Sequence, residues 1–185
     1  MHIRITPLVA APDAAIAQVE QRLGLISAYV LRPMDQQRPV LVTVWETAAH
    51  AELASVTAGG QDFVAAGFEP ATSVGDDPAY GQFVYFDGPR SPAETAAIDR
   101  AHRERLAPAV RDVPGTVGAF VGRNPEGSFV VLVLTTSLQA LEDGQTAVLS
   151  SELLSGEDPA LLPGPDRIQI AWVLAASARA VALPV

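Results

Sequence analysis

The stretch that decides the fold is PGTVGAFVGRNPEGSFVVLVLTTSLQALE, residues 114–142, because a weaker copy of it occurs earlier in the chain. Moving back by 91 positions places residues 117–123 on residues 26–32. Beyond a turn that is one residue shorter in the first copy, the offset becomes 90, and residues 130–142 fall on residues 40–52. Self-similarity over about half the chain indicates that one supersecondary unit is duplicated. Neither copy is long enough to bury both faces of its own sheet.

The matching positions are apolar or of one residue type. They are Ile26 with Val117, Ala28 with Ala119, Tyr29 with Phe120, Val30 with Val121, Arg32 with Arg123, Val42 with Leu132, Val44 with Leu134, Thr47 with Ser137 and Glu52 with Glu142. Each copy predicts a β-hairpin followed by a helix, since apolar runs end at a Thr or Ser that is suited to cap a helix N-terminus.

Composition places the chain among globular proteins and excludes several kinds of chemistry. Hydrophobic residues make up 49% and charged residues 18% of its 185 residues. Every basic side chain other than His is Arg, so neither a Schiff-base lysine nor a phosphate-loop lysine is possible. The absence of Cys excludes disulfides, thiolate nucleophiles and thiolate-ligated metals.

Charge and hydropathy limit the expected partners and location. A formal net charge of −9 repels polyphosphate, so we expect no nucleic acid partner. The longest uncharged apolar runs, residues 128–140 and 168–178, are too short to span a bilayer, so we expect no membrane partner. The N-terminus lacks the basic-then-apolar order of a secretion signal, which favours a cytoplasmic location.

The order of predicted elements is the same in both halves: strand, helix, strand, strand, helix, strand. This βαββαβ order is ferredoxin-like, with both helices on one face of an antiparallel sheet. Residues 40–45 and 129–134 are apolar on both sides, so the bare sheet faces require a partner, which the other copy can supply. We therefore predict an α+β fold with two ferredoxin-like units, residues 1–76 and 77–185. Their antiparallel sheets would pack face to face as a dimeric-type α+β barrel.

Three local predictions concern the helices. Ser91, Pro92 and Glu94 supply an N-cap, a first-turn proline and a reciprocal capping residue. Pro108 should kink or split the helix that follows. A short helix is also predicted over residues 61–66, whereas residues 175–185 carry no assignable pattern.

Two motifs give the chain a resemblance to a known family. Val-Thr-Val-Trp-Glu-Thr at residues 42–47 precedes a helix, and Pro-Gly at 114–115 precedes a strand that contains Gly. With the helix cap Thr-Ser-Leu-Gln-Ala-Leu at 136–141, these segments resemble the antibiotic-biosynthesis-monooxygenase (ABM) superfamily of dimeric α+β barrels, here as a tandem fusion over residues 1–175. The family includes cofactor-free quinone-forming oxygenases, haem-degrading enzymes and proteins without a known reaction. The resemblance therefore implies a fold more directly than an activity.

The residues of the haem-degrading members are missing. Their first-strand Asn has no counterpart, because the single Asn of this chain, Asn124, lies in a turn. Their helical Trp would align near Leu53 or Ala54, and their haem-ligand His near Gly67. We therefore expect no haem degradation by that route and no cofactor. The pocket residues of the quinone-forming members cannot be assigned.

His50 and His102 are the candidate acid–base residues. His50 follows the Thr47 cap by three positions, where the helix dipole favours a neutral ring that can accept a proton, which makes it the candidate catalytic residue. A solvated first-turn His is the alternative. His102 lies on an apolar helix face, which suits either a buried core His or a substrate-binding residue. Three well-separated His without a His-Glu-x-x-His spacing predict no metal site.

Candidate substrate-binding residues also occur on the strands. Trp45, Tyr29 and Phe120 could line a pocket for a planar molecule under the helices, and core packing is the alternative for each. Arg32 and Arg123 occupy equivalent strand ends and could hold a substrate carboxylate or carbonyl. Ion pairs with nearby acids, such as Asp35 and Glu126, are the alternative.

The function predicted from these features is that of an ABM-like protein, with a cofactor-independent monooxygenase or a related enzyme that acts on a hydrophobic or aromatic small molecule as the leading hypothesis. In that chemistry the substrate supplies the electrons, so the protein needs only an apolar pocket and a few hydrogen-bonding groups. The alternative is a non-catalytic small-molecule-binding or structural barrel. Because the fusion places both units in one chain, we expect a monomer or a homodimer.

Overall fold

Eight antiparallel strands form one closed barrel in the order β1-β3-β2-β8-β5-β7-β6-β4. The computed structural model describes residues 1–53, 60–70 and 77–178, with the side chains of 66–70 and 178 outside the description. The strands are β1 His2–Pro7, β2 Leu25–Pro33, β3 Val40–Trp45, β4 Gln61–Pro70, β5 Tyr80–Phe86, β6 Thr116–Arg123, β7 Phe129–Thr135 and β8 Arg167–Ala178.

The two halves of the barrel have the same internal strand order. The first half runs β4-β1-β3-β2 and the second β8-β5-β7-β6, and the pairs β2–β8 and β4–β6 join them. The predicted α+β barrel fold is thereby confirmed, with the two sheets joined along both edges. The predicted boundary between residues 76 and 77 adjoins residues 71–76, which lie outside the described residues, and it stays a prediction.

Strand register confirms the repeat residue by residue. Tyr29 pairs with Val42 in the first hairpin, and Phe120 pairs with Leu132 in the second. The offset is 91 on the first strand of each hairpin and 90 on the second, as in the sequence comparison. The shorter turn of the first copy thus leaves the pairing of the strands unchanged.

The barrel interior is filled by apolar side chains from both halves. The buried members of this interior cluster are Ile3, Ile5, Ile26, Tyr29, Leu31, Val42, Val44, Phe63, Phe83, Phe120, Val130, Leu132, Leu134 and Ala171. Since each half contributes large side chains to one core, neither bare sheet face is left to water, and burial of this area favours the closed form.

The helices cover the outside of the barrel. They are α1 Pro12–Glu20, α2 Ala48–Leu53, α3 Pro92–Ala101, α4 Ala107–Arg111 and α5 Leu138–Ser150. A second buried cluster lies between the first-half helices and the outer face of their sheet, and includes Ile16, Val19, Val30, Leu41 and Trp45. The first half is therefore apolar on both faces of its sheet, as residues 40–45 predict.

The helix start and the helix break of the second half are as predicted. The Ser91 Oγ accepts a hydrogen bond from the Glu94 N–H at 3.2 Å, and the Ser91 N–H donates to Glu94 Oε2 at 2.8 Å. One turn of π-helix, His102–Leu106, separates α3 from α4. Pro108 has no N–H to continue an α-helical ladder, so its lack of a donor accounts for the interruption at this point.

One predicted helix is wrong. Residues 61–66 belong to β4, which pairs with β1 on one side and β6 on the other. The pairing partners lie about 60 positions away along the chain, so tertiary contacts override a weak local pattern. Strand β8 also takes in residues 175–178, and residues 179–185 lie outside the described part of the chain.

Candidate functional site

A cavity of about 460 Å³ lies between the helices and the outer face of the second-half sheet. Its apolar wall consists of Phe86, Ile98, Ala101, Leu106, Val121, Phe129, Val131, Val148, Leu149, Leu153, Leu162 and Pro163. Its polar and charged residues are Asp99, His102, Arg103, Arg105, Arg123 and Ser151. An apolar pocket of this size with a few converging polar groups is the usual form of a small-molecule site.

The helical segment that contributes to this cavity is longer than its first-half counterpart. Pro12 and Pro92 begin the equivalent helices, and Gly24 and Gly115, with φ of 75° and 84°, follow them. The interval from Pro to Gly is 24 − 12 = 12 residues in the first half and 115 − 92 = 23 in the second. The second-half interval is eleven residues longer and includes the π-turn, from which His102, Arg103 and Leu106 line the cavity, and α4.

The equivalent positions of the first half are covered by α1. Val121 and Val131 line the cavity, whereas their repeat partners Val30 and Leu41 are 0% and 5% exposed in the cluster beneath α1. The short helix therefore packs directly on the sheet at these positions. Among the described residues, the strands correspond in the two halves and the helical layer above them differs.

Arg123 lies on the sheet wall of the cavity. Its guanidinium forms an ion pair with Asp99 of α3 at 2.5 Å and lies 5.5 Å from the centre of the Phe129 ring. The alternative of an ion pair therefore holds for Arg123, but the partner is Asp99 and not Glu126, because the side chain points to the helix above it and not along the turn. Sequence inspection missed Asp99, which lies 24 positions away.

Arg105 joins the π-turn to the segment that follows α5. Its Nε donates to Glu157 Oε2 at 2.9 Å and its Nη1 donates to Ser151 Oγ at 2.9 Å. The same Glu157 oxygen accepts the Leu154 N–H at 2.9 Å, and the Glu157 side chain is 2% exposed. These bonds hold residues 151–157 against one end of the cavity. Arg105 and Glu157 are 52 positions apart, and no local pattern relates them, so this ion pair could not be predicted from the sequence.

His102 is the first residue of the π-turn and lines the cavity. It is half-buried and thus not a fully buried core His. Its backbone carbonyl accepts the Ala107 N–H, the five-residue bond that defines the wide turn. The structure brings together His102 and Arg123, two of the residues predicted to bind substrate.

His50 lies elsewhere, over Gly24 of the first half. A Cβ added to Gly24 would fall 1.9 Å from His50 Nδ1, so the ring occupies the space above that glycine. Its backbone N–H donates to the predicted cap, Thr47 Oγ1, at 3.2 Å, and Nδ1 lies 3.8 Å from Glu46 Oε2. His50 does not line the second-half cavity. Its predicted catalytic role stays a prediction without support from this geometry.

Tyr29 and Phe120 lie inside the barrel, as their alternative core interpretation predicts, and not in a pocket under the helices. Their ring centres are 6.0 Å apart with the planes tilted by 57°, and both side chains are buried. Burial raises the pKa of the Tyr29 hydroxyl. Both strands are apolar on both faces, so alternation along the sequence could not distinguish the inner face from the outer one.

Trp45 and Arg32 are also separate from the cavity. Trp45 is 1% exposed in the core beneath the first-half helices, as its alternative core interpretation predicts. The Arg32 guanidinium lies 5.0 Å from the centre of the Trp172 ring on β8. Asp35 accepts hydrogen bonds from Gln169 at 3.1 and 3.2 Å, and no ion pair with Arg32 occurs within the described residues.

Within the described ranges, no group of three potential metal ligands occurs, and no helix is long and apolar enough to cross a membrane. Asn124 serves its predicted turn, because its Oδ1 accepts the Ser128 N–H at 2.9 Å.

No protein-family model and no curated protein matches the sequence. Solved structures do match the fold. A candidate monooxygenase from Fusobacterium nucleatum superposes with a TM-score of 0.70 over 96% of this chain and 94% of its own, at 6% identity. An anthrone oxidase-like protein has a TM-score of 0.55 at 16% identity, over 98% of this chain and 94% of its own.

A haem-degrading enzyme from Listeria monocytogenes has a TM-score of 0.56 at 9% identity, over 93% of this chain and 99% of its own. The chain shares the α+β barrel fold of these structures. These structures include proteins named for oxidation and a protein named for haem degradation. At such low sequence identities, the similarity shows a common fold and not a common activity. The ABM resemblance seen in residues 42–47 and 114–141 is confirmed at that level.

Proposed function

We propose that the chain is a monooxygenase-type enzyme that oxidises a planar, hydrophobic small molecule in the second-half cavity without a cofactor. The observation that carries the proposal is that His102 and Arg123 line the same apolar cavity. His102 comes from the π-turn and Arg123 from β6, where its guanidinium reaches Asp99 of α3, so a ligand in the cavity can contact both residues.

The wall around these two residues suits an aromatic ligand. Phe86 and Phe129 stack with ring centres 4.0 Å apart and planes inclined by only 9°, and both line the cavity. Flat rings present a large apolar surface that a second planar molecule can cover with little loss of conformational freedom. The similarity to an anthrone oxidase-like protein supports the same substrate class.

The proposed chemistry needs one base and one oxyanion partner. His102 removes a proton from an activated carbon of the substrate, and the Arg123 guanidinium stabilises the enolate oxygen that develops. The electron-rich carbanion reduces molecular oxygen. The methylene carbon of an anthrone loses two hydrogen atoms, one oxygen atom becomes its carbonyl oxygen, and the other leaves as water.

The test measures oxygen uptake with anthrone as the substrate, corrected for spontaneous oxidation. His102→Ala should lower kcat/KM by about a hundredfold or more, because a positioned general base contributes that much. His50→Ala, which changes a His outside the cavity, should keep the activity. Activity that is lost with His50→Ala and kept with His102→Ala would contradict the proposal.

A protein that binds anthrone without oxygen uptake would be a ligand carrier, the alternative left open by the sequence. The Arg123–Asp99 ion pair is compatible with that alternative, because it would satisfy the Arg charge without a substrate. The cytoplasmic location and the monomeric or homodimeric state stay predictions.

A further inference from the structure

We propose that the ligand of this cavity carries a carboxylate and that Arg103, at the mouth of the cavity, recognises it. The inference rests on the proposed function, because it names the class of substrate for the same site. It adds an acidic group to the hydrophobic or aromatic molecule, and it assigns a specificity-determining role to a residue that the proposed chemistry does not use.

The charges that line the cavity differ from those of the whole chain. The chain has 12 Arg against 21 Asp and Glu, for a net charge of −9. The lining contains three Arg, which are Arg103, Arg105 and Arg123, and one acid, Asp99. A concentration of Arg within an acidic protein favours an anionic ligand locally, while the rest of the surface repels it.

Two of these three charges are already neutralised. Arg123 pairs with Asp99, and Arg105 pairs with the buried Glu157 at 2.9 Å. No ion pair of Arg103 occurs among the described residues, although the acid four positions before it, Asp99, lies on the same helical segment. The excess positive charge of the cavity is therefore that of Arg103.

Arg103 is also placed to meet a ligand as it enters. It is exposed and yet lines the cavity, so its side chain lies at the boundary between solvent and the apolar interior. It follows His102 directly on the π-turn. A ligand that binds with its rings inside, in contact with His102 and Arg123, can thus leave an acidic substituent at the mouth, beside Arg103.

The chemistry of the guanidinium selects the acidic group. Its planar fork of N–H donors matches the two oxygens of a carboxylate, and charge-assisted bonds of this kind are stronger than neutral ones. A neutral hydroxyl of similar size would leave the guanidinium charge without a partner.

The test compares two coloured anthraquinones by equilibrium dialysis with the full-length chain. Rhein carries a carboxylate, and aloe-emodin carries a hydroxymethyl group at the same ring position. Rhein should bind about tenfold more tightly. Arg103→Gln should remove most of that preference while leaving the affinity for aloe-emodin within about twofold. Arg100→Gln, which changes an Arg of α3 that pairs with Glu104 and lies outside the cavity lining, should preserve the preference.

Equal binding of both compounds, or a preference that survives Arg103→Gln, would overturn this inference and leave the proposed oxidation intact. Failure of both compounds to bind would overturn the inference together with the proposed function. Circular dichroism of Arg103→Gln, an exposed substitution that should leave the spectrum unchanged, keeps a loss of folding from being mistaken for a loss of specificity.

Discussion

At the residue scale, the two copies of the repeat differ where a glycine meets the following helix. Gly24 lies under the His50 ring, whereas the equivalent Gly115 lies under Ala140, whose Cβ would be 3.0 Å from an added Cβ. Both glycines have positive φ, so any side chain there is strained. His50 is thus explained by packing over a turn of the first half, away from the cavity.

We expect Gly24→Ala to destabilise the protein by about 2–3 kcal/mol, because it combines a left-handed backbone with displacement of the His50 ring. Gly88→Ala is the matched control, since Gly88 has φ of 83° and nothing within 4 Å of an added Cβ. That control should cost only about 1 kcal/mol. Urea unfolding measures both. If the double variant Gly24→Ala/His50→Ala is no more stable than Gly24→Ala, the steric account is wrong.

Asp62 gives a prediction for acid stability. Its pKa is lowered chiefly by the hydrogen bonds that Arg4 donates at 2.6 and 2.9 Å, with a further contribution from His2. A lowered folded-state pKa stabilises the fold above the unfolded value of about 3.9, and this contribution is lost as pH falls towards the folded value. The effect should stay below about 1 kcal/mol because Asp62 is partly exposed.

Asp62→Asn should therefore lower stability at pH 6 and leave it nearly unchanged at pH values below the folded pKa of Asp62. Urea midpoints over this range measure the difference. Asp112→Asn, at an exposed acid, is the control and should follow the parent protein throughout. A constant offset between Asp62→Asn and the parent at every pH would contradict the assigned linkage.

Residues were predictable from the sequence where a local pattern determines their environment. Thr47 and Ser137 were found because a cap lies next to its helix, and both accept the expected backbone N–H. The Asp99–Arg123 and Arg105–Glu157 pairs join segments that are 24 and 52 residues apart. No local pattern reports such pairs, so they required the structure.

At the element scale, the second-half helix begins with a complete cap and its first-half counterpart does not. Ala11, at the equivalent position, has a backbone conformation close to that of Ser91 but no side-chain bond to its helix. The cap therefore stabilises the N-terminus of α3, which carries residues that line the cavity. Pro108 interrupts the same helix, and the resulting π-turn presents His102 and Arg103 to the cavity.

We expect Ser91→Ala to destabilise the protein by about 1 kcal/mol through loss of the cap. The matched variant in the first half is Ala11→Ser, which adds a capping hydroxyl. It should stabilise the protein by about 0.5–1 kcal/mol, because the backbone of Ala11 already suits an N-cap. Thermal unfolding of the two variants measures both. Equal and negligible shifts in Tm would show that these helix ends do not limit stability.

One element-scale feature of the sequence marks the place where the cavity lies but does not predict the cavity. The interval between the helix-starting Pro and the turn Gly is 12 residues in one copy and 23 in the other. That difference shows where the copies diverge. It does not show whether the added turns fill the space above the sheet, because this depends on side chains contributed by residues 148–163.

At the scale of the whole molecule, closure of the barrel couples the halves. Strands β4 and β8 each pair with one strand of their own half and one of the other. The offset repeat predicted two units that share a core, and the structure confirms the shared interior. The sequence could not predict that β4 pairs with β6 or that β2 pairs with β8, since the two strands of each pair are not equivalent to one another in the repeat.

Because the joints and the interior are shared, the halves should unfold together. In Trp172→Phe, Trp45 is the remaining Trp and reports on the first-half core, while far-UV circular dichroism reports on both halves. The two urea transitions should coincide. A first half that loses its Trp45 signal at a clearly different urea concentration would contradict the coupling.

The central claim is that one half supplies a packed frame and the other supplies the ligand site. Hydrogen exchange of the full-length chain with and without rhein tests it most directly. The account predicts slower exchange in residues 92–111 and 151–163, which border the cavity, and unchanged exchange in residues 12–33. Protection centred on residues 12–33 or around His50, or no protection at all, would contradict it.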